Sequence, residues 1–144
     1  MGPEAAVAAR LRSLFEREHE SLEELRRLMA AQEGSLRADA PDRFEQQVEA
    51  ERGLLDRLEA LRHVSDAFEA TYRAAFPQGD PRTEAARVRV ASAAAALAQL
   101  GSRRRLALAS RRAVVAKRLR ALRRLFSSGR FGGQEPPRVL DILR

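Results

Sequence analysis

The sequence predicts an all-α protein: an elongated antiparallel three-helix bundle or coiled coil with a short C-terminal tail. Three observations lead there. Apolar residues recur at spacings of three and four through most of the first 126 residues, the period of one helix face. Leu, Ala, Arg and Glu dominate, a composition typical of long helices. Proline-containing breaks divide the pattern into three long segments, and no alternating strand pattern or fixed repeat interrupts them.

The first helix is expected over residues 4–38. Its stripe is Val7, Leu11, Leu14, Phe15, Leu22, Leu25, Leu28, Met29 and Leu36, interrupted by Glu18. Asp39-Ala40-Pro41-Asp42 then breaks the chain. Asp39 can cap free backbone N–H groups there, and Pro41 sits early enough in a second helix to need no N–H of its own. So short a corner favours an antiparallel pair. The second helix is expected over residues 41–75, with Phe44, Val48, Leu54, Leu55, Leu58, Leu61, Val64, Phe68 and Tyr72 inward.

Two prolines and a glycine in Phe76-Pro77-Gln78-Gly79-Asp80-Pro81 stop that helix. Asp80 is expected to cap the third, with Pro81 at its first position and Glu84 in its first turn. The third helix is expected over residues 81–126, on the order of 65 Å long. Its alanine-rich start permits close helix approach. Its later half carries Leu97, Leu100, Leu108, Val115, Leu119, Leu122 and Phe126. Residues 1–126 thus read as one helical bundle. Residues 127–144 read as a flexible Gly/Pro linker followed by an apolar tail, Val139, Leu140, Ile142 and Leu143.

Composition narrows the function classes. The chain has no cysteine, which excludes disulfides and thiolate metal sites and fits a reducing compartment. The start has no signal-peptide h-region, and Ala6 fails the Ser/Thr requirement for myristoylation. No run of about 18 apolar residues would span a membrane. The expected location is the cytoplasm. Catalysis finds no constellation: His19 and His63 both sit in helical patterns, without a His-x₃-His spacing between partners. Phe131-Gly132-Gly133 lacks the Lys and Ser/Thr of a phosphate loop. The expectation is a non-enzyme without cofactor or metal.

Charge is divided unevenly. Residues 1–76 hold 11 Arg and 16 Asp/Glu, whereas residues 77–144 hold 16 Arg/Lys and 4 Asp/Glu, together the net +7. Between Ser102 and Phe126 stand Arg103, Arg104, Arg105, Arg111, Arg112, Lys117, Arg118, Arg120, Arg123 and Arg124, with no acid. This run has three readings: a complement to the acidic helices of the same chain, a phosphate-binding surface, or an anionic-membrane surface. The first is preferred, because the acidic half supplies a partner and base-stacking aromatics are absent. Arg103, Arg104, Arg105, Arg111, Arg112 and Arg118 are the candidate anion-binding residues. Weak, non-specific nucleic-acid binding is the consequence if the second reading holds. A coiled-coil component of an export apparatus is a further alternative.

Residues 22–61 carry a resemblance. A leucine-rich helix, Leu25 to Leu36, runs into the corner Arg37-Ala38-Asp39-Ala40. A second helix then reads Glu51-Arg52-Gly53-Leu54-Leu55-Asp56-Arg57-Leu58-Glu59-Ala60-Leu61. This resembles the FlgN family of flagellar export chaperones, whose second helix follows Glu/Lys-Glu-x-Leu-Leu-x-x-Leu-x-x-Leu. The resemblance implies a cytoplasmic chaperone that binds the C-terminal helical segments of hook-associated proteins. It would prevent their premature assembly and deliver them to the type III export gate, with no cofactor. Such a protein needs an apolar stripe for a client helix. The candidates are Leu108, Val115, Leu119, Leu122 and Phe126, spaced seven, four, three and four, and the tail residues Val139, Leu140, Ile142 and Leu143. The tail is expected to dock on the chain's own groove or on a neighbouring molecule, which leaves a homo-oligomer open.

Overall fold

A computed structural model describes residues 2–127. They form three helices: α1 (Pro3–Arg37), α2 (Pro41–Ala75) and α3 (Pro81–Ser127). No described residue is in a strand. The helix limits fall within one residue of those expected, because prolines open all three and the two corners are short. The tail residues Val139, Leu140, Ile142 and Leu143 lie outside the described residues.

The corners are built differently from each other. At α1–α2, Asp39 has φ 54, the left-handed conformation. The Ala40 N–H donates to the Ser35 carbonyl at 3.0 Å and the Asp39 N–H to the Leu36 carbonyl at 3.3 Å. These two bonds make a Schellman closure of α1. Asp39 therefore closes α1, and the N-cap position of α2 falls to Ala40, without a side-chain cap bond. Aspartate suits either place, since its short polar side chain tolerates left-handed backbone. At α2–α3 the expected cap is present. Asp80 Oδ2 accepts from the Thr83 N–H at 3.0 Å and from the Thr83 hydroxyl at 2.8 Å.

The chain divides into two compact units, Met1–Arg103 and Arg104–Arg144, and α3 is continuous across the division. In the first unit α1 is the central helix. Eleven of its residues are buried, against two of α2 and three of α3. The buried positions cover about half of the α1 circumference at 100° per residue, as packing against two neighbours requires. Ala8, Leu11 and Phe15 of α1 meet Tyr72 of α2 and Ala86 of α3 in one apolar cluster. Ala86 and Ala93 of α3 are buried, the latter within the alanine-rich stretch.

The α1–α2 seam is partly polar. Gln32 is fully buried and donates to the Gln47 carbonyl at 3.4 Å and to Glu51 Oε2 at 3.1 Å. The Ser35 hydroxyl donates to Gln47 Oε1 at 2.8 Å. Glu18 does not simply interrupt the stripe: it is itself buried within it. Leu55 and Val64 of α2, expected inward, are exposed. Successive residues on a helix lie about 100° apart, so Leu54 and Leu55 cannot both face one seam.

Candidate docking surface on helix α3

The start of α3 is anchored by a polar network that apolar periodicity does not reveal. Tyr72 is 1% exposed; its hydroxyl accepts from the Asp80 N–H at 2.8 Å and donates to Glu84 Oε1 at 2.9 Å. Burial raises the Tyr72 pKa above its ordinary value. Glu84 Oε2 accepts from Arg87 Nε at 3.1 Å, and Arg87 Nη2 reaches Glu69 Oε1 at 2.7 Å. The Arg87 guanidinium lies 4.9 Å from the centre of the Phe15 ring, within cation–π range. Burial alone would lower the Arg87 pKa, but Glu69 and Glu84 outweigh it and raise it. The two hydrogen bonds from Thr83, the hydroxyl's first, hold Asp80 below the ordinary carboxylate range. The Ala8 carbonyl lies 3.3 Å from the Thr83 hydroxyl and shares its single proton with Asp80, which ties α3 to α1.

Burial ends early on α3. Thr83, Ala86 and Ala93 are its buried residues, and none from position 94 to 127 is buried. Arg103, the last residue of the first unit, faces Glu33 of α1 at 3.5 Å. At Arg103 the basic run thus has the intrachain charge complement expected for it.

Residues 104–127 are helical throughout. Leu108, Val115, Leu119, Leu122 and Phe126 share one face, within an arc of about 60° at 3.6 residues per turn. Leu122 is 40% exposed; the other four are half-buried. Arginines border the arc on both sides. Arg104, Arg111 and Arg118 recur every seven residues along one edge, and Arg105, Arg112 and Arg123 lie along the other. Of the anion candidates here, Arg105, Arg111, Arg112 and Arg118 are exposed and Arg104 is half-buried. The segment therefore brings the apolar and the basic candidates together on one element. Leu106 and Val114, both exposed, lie outside the stripe and were not among the candidates.

The remaining features of the described residues offer little chemistry. A cleft of about 200 Å³ is lined by Phe15, Glu16, His19, Glu20, Ala86 and Arg89. Its His19 faces Glu23 at 3.9 Å, one turn away on the same helix. Among the described residues, no group of three His, Asp or Glu side chains converges to hold a metal. No described helix is long and apolar enough to cross a membrane. No family model, curated protein or solved structure matches the chain.

Proposed function

We propose that this protein is a helix-capturing chaperone that acts by binding and without a cofactor. On the resemblance of residues 22–61, its clients are the C-terminal helical segments of hook-associated flagellar proteins, held in the cytoplasm for the type III export gate. The observation that supports this most is the stripe on α3, an apolar face of about five turns in which no residue is fully buried. A protein stripe of this length normally packs against another helix, and helix-in-groove recognition uses such anchors.

The test is a pair of substitutions, Leu119→Ala and Leu122→Ala. In a packed core each would cost about 2–5 kcal/mol. Here both are expected to leave the melting temperature of the isolated protein nearly unchanged. Each is expected to weaken capture of a hook-associated protein's C-terminal segment, chiefly through faster dissociation. Strong destabilisation, or unaltered capture, would remove the stripe as the client site.

A second reading is favoured by one observation: the basic residues at 112, 117, 118, 120, 123 and 124 are all exposed. Such a surface attracts phosphates through counterion release. In this reading the protein binds nucleic acid weakly and without sequence preference.

A further inference from the structure

The geometry of residues 104–127 points beyond helix capture in general to the chemistry of the captured helix. We infer that this segment receives an acidic amphipathic helix: one narrow apolar stripe with Asp or Glu on both flanks. The inference rests on the helix-capture reading and specifies its partner.

The width of the stripe is the first argument. Leu108, Val115, Leu119 and Leu122 span about 60° of the helix, whereas a face that lies on a broad apolar surface spans at least about 100°. A narrow stripe with spacings of seven, four and three is the seam of a two-helix coiled coil. An anionic membrane would need a wider face. Phosphates alone would leave the seam unused.

Charge is the second argument. Arg112 and Arg118 are exposed on opposite edges of the seam, and residues 104–127 contain no acid. Flanking positions in a coiled coil choose the partner through opposite charge. A second copy would set basic edges against basic edges in either direction, so self-pairing through this seam is opposed. An acidic-flanked helix satisfies both edges. The like-charge cost also excludes basic helices, giving selectivity as well as attraction.

The experiment uses the full chain and two synthetic four-heptad peptides with identical leucine seams, one flanked by glutamate and one by lysine. Binding is followed by fluorescence anisotropy at physiological ionic strength. The glutamate peptide is expected to bind at least about tenfold more tightly. Leu119→Ala should weaken it. The double variant Arg112→Glu/Arg118→Glu should reverse the preference towards the lysine peptide, with helicity unchanged by circular dichroism. If both peptides bind alike and both depend on Leu119, helix capture stands and the acidic-partner inference falls. If neither binds, both fall. Phosphatidylglycerol vesicles or duplex DNA that displace the glutamate peptide would overturn the inference in favour of a general anion surface.

Discussion

Burial raises the Glu18 carboxyl above its ordinary pKa of 4.5; Arg62 opposes that shift and Asp66 adds to it. The folded chain therefore holds this proton more tightly than the unfolded chain. Its contribution to folding is complete below that ordinary value and is lost as pH rises through the raised folded-state value. Glu18→Gln is expected to melt at a higher temperature than the parent near neutral pH, with the gap closing in acid. Thermal melts across that range check it, and an unchanged gap would discount the buried charge. Arg62, 71% exposed, is not stranded by the change. Position 18 also marks where pattern reading stops. An acidic residue in an apolar stripe looks like an interruption, and only the fold shows it enclosed. Asp39 is a second case, because residue type alone does not distinguish closing one helix from capping the next.

Elements were more legible than residues. Prolines at 41 and 81, and the glycine at 79, are hard constraints on backbone geometry, so the helix limits followed from them. Gly79 takes φ 80, and an added Cβ would meet Glu84 Cγ at 2.9 Å, so this corner has little room for another residue. What periodicity missed is the polar network that seats α3, since its members are scattered over α2, the loop and α3. Tyr72→Phe removes both hydroxyl bonds and leaves the Asp80 N–H and Glu84 each one partner short. The expected cost is about 1–3 kcal/mol, measurable by urea denaturation. The apolar stripe of residues 108–126 was legible because its spacing is regular. That none of its residues is fully buried was not, because the same spacing serves a core and a docking face equally.

At the scale of the molecule, the uneven charge has a direct assay. If residues 103–124 bind phosphates, affinity for duplex DNA should fall steeply with salt, with a slope set by the number of phosphates neutralised. Binding is expected to be weak, indifferent to sequence and largely gone at physiological ionic strength. Tight, sequence-selective binding would favour the nucleic-acid reading. The arginine excess alone could not decide this, since the same composition yields the Arg103–Glu33 pair. The course of α3 has a thermodynamic corollary. Its first turns are held by tertiary burial, whereas after Ala93 no side chain is buried and the helix relies increasingly on local propensity. Amide hydrogen exchange should report a gradient: slow near Thr83 and Ala86, and progressively faster towards Ser127. Any ligand that prefers the ordered helix must then slow exchange most at the distal end, and its affinity must include the free energy of suppressing those local openings.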